Sequence, residues 1–437
     1  MLWSAATAVL IAFAGCSTHR KTPANRAVAD VRSLPQKAEP YLKGVHEHTT
    51  ILPMQHTYAH HYYSVWQDTY VPDDLETVRW PFRTYTPDDA YGANLRPLPP
   101  AWFAAMRDEA NWSAYNSVSR RAVALKALDL RNFPTDTPLF HDPDKAGEGF
   151  PFDYLQNSTV YAMEPLHLSH YSKSGKWAYV LTSYATGWVH ADAVAAIDDK
   201  TATAWMHRPL LALLNEHEPV QTTAGRYLFD AHVGMVVPLA KRESGRWICE
   251  AAIASSKGRA VPAECTLPYD GAAPVPLLWN RHNLARVIDA VTGTAYGWGG
   301  LYGGRDCSST IRDIFAPFGI WLPRNSSQQA AIGKVVSLHG LDAEAKRRKI
   351  IKEGKPFETL LYLKGHILLY LGVYRGNPVA LHTVWGIKVF DESGKEGRKI
   401  IGKTVVTTLE PGRELPGFTE ASSILQRLES MNFVLDQ

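Results

Sequence analysis

The chain has 437 residues, of which 45% are hydrophobic and 20% are charged, and it contains 13 Trp and 20 Tyr. This composition excludes a disordered or fibrous protein and predicts several folded domains. A net charge of +3 at pH 7 is too small to indicate binding to nucleic acid.

The N-terminus has an apolar run from Ala5 to Ala14 that leads into Cys16. The run is too short to span a bilayer but long enough for the core of a signal peptide. The sequence AGC at its end resembles the lipobox of bacterial lipoproteins, whose cysteine becomes the lipidated N-terminus. The resemblance implies a signal peptide over 1–15, a membrane anchor through Cys16 and a cell-envelope protein facing the periplasm. Ser17 favours the outer membrane by the rule of that family. Ordinary secretion or a buried first helix are the alternatives.

Residues 16–40 are polar and basic with scattered Pro, which is typical of a tether. The accessory region 41–120 is rich in His, Tyr, Trp and Pro, and its sequence predicts no particular fold. Its histidines include the pair in HEH at 46–48 and the group His56, His60 and His61. Because no Cys or carboxylate partners stand at the spacing of zinc sites, loop histidines are favoured and no metal ligands are predicted.

Two units of short β-type runs follow, over 121–205 and 206–270. Each unit has a turn carrying Gly before a strand that bears Trp, as in GKWAYVLTS and SGRWICEAA. Regularly spaced short strands predict small barrels or sandwiches, and the pattern resembles bacterial SH3-like domains. In the second unit Cys249 and Cys265 flank a segment that a strand-turn-strand could close, so a disulfide and two separate buried thiols both remain open.

The C-terminal region 271–437 places helix first and strands later. A helical segment, NLARVIDAVTG, precedes Cys307, and the runs HILLYLGVY, VALHTVWGIKVF and KTVVTTLE read as strands. This order predicts an α+β domain.

Cys307 stands between a glycine-rich turn and an amphipathic helix. The apolar residues Ile311, Ile314, Phe315 and Phe318 recur at helical spacing, so a helix is predicted to begin near the cysteine. Asp306 or Ser308 is the expected cap. A cysteine in a first turn is predicted to have a lowered pKa and to serve as a nucleophile. A small buried hydrophobe is the alternative.

Two histidines stand on the strands after the helix. His366 begins one strand, and a turn at RGNP returns the chain so that His382 lies on the next. One imidazole could take the proton of Cys307 and the other could orient it, provided that the turn length or a bulge puts both on one face.

Four motifs in this order carry a family resemblance. They are YGWGG at 296–300, DCS at 306–308, LPRNSSQQ at 322–329, and GHILLYLG at 365–372 with the His of ALHT. The set resembles the NlpC family of bacterial cell-wall cysteine peptidases, except that LYLKGH replaces the usual GDL run before the first histidine. The resemblance implies a papain-like α+β domain behind two SH3-like barrels.

The same resemblance implies roles for single residues. Cys307 would be the nucleophile, His366 the general base and His382 the residue that orients it. Tyr296 would help to shape the oxyanion site, and Asp306 and Ser308, which flank the nucleophile, would help to hold the substrate peptide.

In relatives of this architecture the first SH3-like domain walls one side of the cleft. The segment GFPFDYLQNS, with Asp153 and Tyr154, falls where a loop of that domain would face the cleft. The Asp153 carboxylate would there meet the free amine of an N-terminal L-alanine. An ordinary surface loop is the alternative.

The implied reaction is cleavage of the bond between γ-D-glutamate and meso-diaminopimelate in peptidoglycan stem peptides. No cofactor is expected, and a monomer with the membrane and the cell wall as partners is predicted. The alternatives are a non-catalytic wall-binding lipoprotein and a papain-like amidase or acyltransferase that acts on lipids.

Overall fold

The structure is a computed structural model that describes residues 27–436. Cys16 and the predicted signal peptide lie outside the described residues, so the lipid anchor stays a prediction. Between residues 27 and 436, no helix has both the length and the apolar character that crossing a bilayer requires.

The N-terminal region, whose fold the sequence does not predict, consists of short helices and turns. Its α-helices are α1 (Ala29–Ser33), α2 (Tyr58–Tyr62), α3 (Leu75–Val78), α4 (Trp80–Thr84) and α5 (Pro100–Glu109). Gln55 donates its side-chain amide to the carbonyls of Leu277 and Phe318 at 3.1 and 2.6 Å. Buried Trp66 donates Nε1 to the carbonyl of Ala122 at 3.0 Å. The region therefore packs on both the first β unit and the C-terminal domain.

The first β unit is an antiparallel sheet in the order β3-β2-β6-β5-β4-β1-β7. Its strands are β1 (Arg120–Ala124), β2 (Leu128–Arg131), β3 (Gln156–Val160), β4 (Pro165–Tyr171), β5 (Trp177–Leu181), β6 (Thr186–His190) and β7 (Val194–Ala196). Helix α6 (Asp199–Met206) connects it to the second unit.

The second β unit repeats this plan in the order β10-β9-β13-β12-β11-β8-β14. Its strands are β8 (Leu210–Leu213), β9 (Pro219–Thr222), β10 (Tyr227–Asp230), β11 (Val236–Glu243), β12 (Arg246–Ala254), β13 (Ala260–Pro268) and β14 (Ala272–Pro274). Cys249 and Cys265 stand directly opposite each other on β12 and β13 as buried free thiols.

The C-terminal domain has the predicted order of helix before sheet. Its helices are α7 (Arg281–Val291), α8 (Cys307–Phe315), α9 (Ser326–Gln329), α10 (Ala343–Glu353) and α11 (Ile424–Arg427). Its strands are β15 (Lys334–Ser337), β16 (Thr359–Leu363), β17 (His366–Tyr374), β18 (Asn377–Phe390), β19 (Glu396–Thr408) and β20 (Ser430–Phe433), in the sheet order β15-β20-β16-β17-β18-β19. The α+β prediction is confirmed.

Helix α8 begins at Cys307, as its periodicity predicts. Asp306 is the N-cap, and its Oδ1 accepts the backbone N–H of Ser309 at 2.8 Å. The apolar stripe is fully buried where α8 packs on β17 and β18. The cap and the stripe together hold Cys307 at the first turn, beside the sheet that carries both histidines.

Candidate functional site

A cavity of about 670 Å³ opens over the N-terminal end of α8. Cys307 and His366 both line it, together with Tyr296, Asp306 and Ser308. Part of its wall comes from the first β unit and the N-terminal region, through side chains that include Trp80, Tyr85, Asn132, Phe152, Tyr154, Gln156 and Asn157. A volume of this size is typical of a site for a small ligand or a short peptide.

The first β unit is tied to the site by hydrogen bonds. Arg324 donates Nε to Ser158 Oγ at 2.7 Å, and Gln156 donates its amide to the carbonyl of Gly299 at 3.2 Å. Gly300 has φ of 87°, and a Cβ there would overlap the side chain of Thr159. The glycine run before Cys307 therefore lets the first β unit approach Cys307 closely.

A β-bulge puts His366 and His382 on one face of the sheet. Strands β17 and β18 are joined by a two-residue turn, and their register shifts between Tyr370 and Gly372. Without this shift His382 would stand opposite an odd-numbered position of β17, and its side chain would leave the face that His366 occupies. With it, His366 Nε2 lies 2.8 Å from His382 Nδ1.

The hydrogen bonds beyond His382 fix the direction of this contact. The hydroxyl of Thr407 donates its hydrogen to the carbonyl of Thr408 at 2.7 Å. The same hydroxyl oxygen lies 3.0 Å from His382 Nε2, and because its hydrogen is already used, it acts as the acceptor in that contact. His382 therefore carries its proton on Nε2 and accepts at Nδ1. His366 in turn donates from Nε2, which leaves its Nδ1 unprotonated and able to receive a proton.

The Cys307 sulfur lies at the start of β17, where it accepts the backbone N–H of Ile367. Removal from water and the nearby charge of Asp306 raise the pKa of the Cys307 thiol to about 12. The predicted lowering of this pKa is therefore wrong, because burial and a carboxylate outweigh the favourable end of the helix.

His366 shifts in the opposite direction. Burial, reinforced by the charge of Arg427, lowers the pKa of His366 to about 4. At neutral pH the resting pair is therefore a thiol beside a neutral imidazole. A neutral imidazole can take a proton from a thiol, and His366 loses this capacity only as the pH falls toward 4.

Asp306 and Ser308 form one cluster with Arg324. Arg324 donates Nη2 to Asp306 Oδ2 at 2.5 Å and Nη1 to Ser308 Oγ at 2.9 Å. Burial alone would raise the pKa of Asp306, but the guanidinium holds it below the ordinary value. Both residues line the cavity, and the cluster fixes the start of α8.

Tyr296 lines the cavity among aromatic rings. Its ring centroid lies 5.8 Å from that of Trp385 and 6.3 Å from that of Phe152. Burial raises the pKa of Tyr296 well above its ordinary value, so the side chain remains a protonated phenol.

Asp153 and Tyr154 differ in their position relative to the cavity. Asp153 does not line the cavity, contrary to the prediction: it is 4% exposed, and its Oδ2 lies 2.6 Å from Nη1 of Arg131. Its Oδ1 accepts the backbone N–H groups of Leu139 and Leu155. The carboxylate thus holds its own loop together and has no oxygen turned to a substrate. Tyr154 does line the cavity, and its hydroxyl donates to a glutamate of the same loop.

Two residues of the site were not predicted. Arg324 stands in the motif LPRNSSQQ, which marked the segment but not the side chain that holds Asp306. Thr407 lies near the end of β19 with no local signal, and only the pairing of β18 with β19 brings it to His382.

Family models match four successive parts of the chain. Residues 3–115 match the NLPC_P60 stabilising domain, N term, and residues 138–190 match an SH3 domain of SH3b1 type. Residues 198–243 match an SH3 domain of SH3b2 type, and residues 293–397 match the NlpC/P60 family. The predicted fold class, an α+β domain behind two SH3-like units, is confirmed.

Solved structures show the same architecture. An NlpC/P60 endopeptidase from Photobacterium damselae subsp. piscicida is 23% identical with a TM-score of 0.81, over 92% of this chain and 98% of its own. An NlpC/P60 family protein from Bacillus cereus ATCC 10987 is 14% identical with a TM-score of 0.50, over 72% of this chain and 99% of its own. At these identities the likeness shows the fold. No curated protein matches the chain.

Proposed function

Because the C-terminal domain of this chain belongs to the NlpC/P60 family, we propose that the chain is a cysteine peptidase of the bacterial cell wall. Its proposed substrate is the bond between γ-D-glutamate and meso-diaminopimelate in peptidoglycan stem peptides. The observation that carries the proposal is the chain of contacts from His366 through His382 to Thr407, with Cys307 and His366 lining the same cleft.

These contacts support a specific sequence of steps. The Cys307 sulfur attacks the γ-carbonyl carbon of D-glutamate while its proton passes to Nδ1 of His366. The tetrahedral intermediate collapses, the amide C–N bond breaks, and His366 returns the proton to the departing amine. Water then attacks the thioester, giving a proton to His366, and the thiol leaves with that proton.

Backbone N–H groups at the start of α8 are suited to the developing oxyanion. The first N–H groups of an α-helix have no acceptor within the helix. Those of Ser309 and Thr310 are bonded to Asp306. The backbone N–H groups of Cys307 and Ser308 are therefore the candidates to stabilise the oxyanion, at about 3 kcal/mol for each well-placed donor.

The charge of the cavity wall supports an acidic peptide as substrate. Lys364, Lys388 and Arg427 line the cavity, and Lys388 is also bound to Glu396 at 2.6 Å. Among the described residues that line it, Asp306 is the only carboxylate, and it is bound by Arg324. A stem peptide carries free carboxylates on both sides of the proposed bond, so cationic walls complement it.

Digestion of the tripeptide L-Ala-γ-D-Glu-meso-diaminopimelate tests the proposal. We expect release of free diaminopimelate and L-Ala-D-Glu, identified by mass spectrometry, and no hydrolysis of a fatty-acid amide under the same conditions. A matched tripeptide with L-Lys in third position lacks one carboxylate and should be cut more slowly, because it loses one contact with the cationic wall. Cleavage of the lipid amide alone, or of the L-Ala-D-Glu bond, would refute the proposed function.

A further inference from the structure

The HEH segment of the N-terminal region lies against the C-terminal domain, outside the Cys307 cavity. There it meets Glu358, which comes directly before β16. We propose that His46, His48 and Glu358 bind a divalent transition-metal ion, with zinc the best fit to two imidazoles and one carboxylate. The sequence alone gave the histidines no acidic partner, and the fold supplies one from more than 300 positions further along the chain.

The two histidines of the HEH segment lie on the same side of it. Residues at i and i+2 of an extended segment share a face, and the residue between them points the other way. Glu47 faces α7, where its Oε1 accepts the backbone N–H of Arg281 at 2.9 Å. His46 and His48 therefore share the opposite face, with ring centroids 4.8 Å apart.

The backbone around the candidate site is held at close range. The backbone N–H of His48 donates to the carbonyl of Trp279 at 2.9 Å. A Cβ at Gly44 would lie 2.9 Å from Cγ of Pro356, so the two segments touch just before the ligand residues. This approach brings one ligand atom each of His46, His48 and Glu358 within 4.8 Å of one another.

The distances between the ligand atoms and an unpartnered ring nitrogen suit a metal ion. A zinc ion about 2.1 Å from each of three ligands places the ligand atoms about 3.4 Å from one another. The ligand atoms now lie within 4.8 Å of one another, so side-chain rotations that shorten these distances by about 1.4 Å at most would close the site. The Nε2 atom of His48 is buried and has no hydrogen-bond partner among the described residues. A metal ion would satisfy this orphaned nitrogen, which otherwise costs free energy.

The surrounding charge also favours a cation. Glu358 is 4% exposed, and a buried carboxylate requires a partner. The ammonium of Lys355 acts on Glu358 from nearby, but it is bound to both oxygens of Asp436 at 2.7 Å. Among the described residues Glu358 has no ion pair of its own, so its carboxylate can bind the metal, with water as the expected fourth ligand.

The expected role of the metal is to fasten the N-terminal region to the C-terminal domain. None of the three ligands lines the cavity of Cys307, and two of them belong to the N-terminal region. A metal bound only in the folded state stabilises that state. The proposal therefore concerns stability and docking of this region and is independent of the proposed reaction.

Zinc titration of the metal-free full chain tests the site. The titration uses the Cys307→Ala variant, because the Cys307 thiol could itself bind zinc together with His366. We expect one equivalent of zinc to bind, with a melting midpoint about 2–5 °C higher at saturating metal. Cobalt should give the visible absorption of a four-coordinate site.

Matched variants decide between this site and any other. His48→Ala and the isosteric Glu358→Gln should each raise the zinc Kd at least about tenfold, because each removes a ligand. The exposed His56→Ala in the same region should leave the Kd unchanged. If His48→Ala does not fold, Glu358→Gln decides alone. No bound zinc, or zinc bound equally well by Glu358→Gln, would overturn the proposal.

Discussion

Replacement of Cys307 by alanine is expected to abolish hydrolysis of the tripeptide, with a loss of at least about 10⁴-fold in kcat/KM. Alanine keeps the helix start but removes the sulfur, so no thioester can form. The half-buried Cβ stays in place, and the Asp306 cap does not involve the thiol. Mass-spectrometric counting of released diaminopimelate measures the effect.

Cys307→Ser is the matched control, because it replaces the thiol by a hydroxyl of similar shape. A serine hydroxyl is far less acidic than a thiol, and its oxygen is less nucleophilic than sulfur, so this variant should also be nearly inactive while its melting curve matches the parent chain. Undiminished release of diaminopimelate by either folded variant would show that another residue is the nucleophile.

His366→Ala is expected to lower kcat by about 10³–10⁴-fold, whereas His382→Ala should lower it by about 10²-fold or less. His366 lines the cavity, and in the proposed mechanism it exchanges the proton with substrate and sulfur. His382 is 0% exposed and contacts His366, so in the proposed mechanism it acts only by orienting His366. Steady-state kinetics of both variants on the same tripeptide give the ratio.

His339→Ala provides the control for the loss of an imidazole from this domain. His339 is exposed and lies outside the cavity, so its removal should leave kcat and KM unchanged. Equal and mild losses for His366→Ala and His382→Ala would remove both histidines from the catalytic set.

Local signals were sufficient for the position of the candidate nucleophile. The apolar stripe of α8 and the cap residue Asp306 act within a few positions of Cys307, and the structure places the helix start there. The strand that begins at His366 could also be predicted from local sequence, because a continuous apolar run followed by a turn is visible there.

The alignment of the two histidines could not be predicted in the same way. It depends on the bulge between Tyr370 and Gly372, which inserts one position into the pairing of β17 with β18. Thr407 enters the site only through the next pairing, of β18 with β19. Such registers arise from the packing of the whole sheet.

Electrostatic predictions failed where they used one contact alone. The helix start favours a thiolate at Cys307, but burial and Asp306 act in the opposite direction and are stronger. Asp153 was expected in the cleft from its place in the sequence, whereas Arg131, 22 positions earlier, draws the carboxylate inward. Both outcomes depend on neighbours that only the folded chain brings together.

The central claim is that His366 is a neutral base with Nδ1 free to take the proton of Cys307. The most direct measurement is the ¹⁵N chemical shifts of the ring nitrogens at pH 7 in histidine-labelled protein, assigned by their loss in His366→Ala and His382→Ala. We predict that His366 is neutral, carries its proton on Nε2 and titrates only toward pH 4. In Thr407→Val we predict a smaller population of this Nε2–H form of His366. An imidazolium at pH 7, or a His366 proton on Nδ1, would contradict the account.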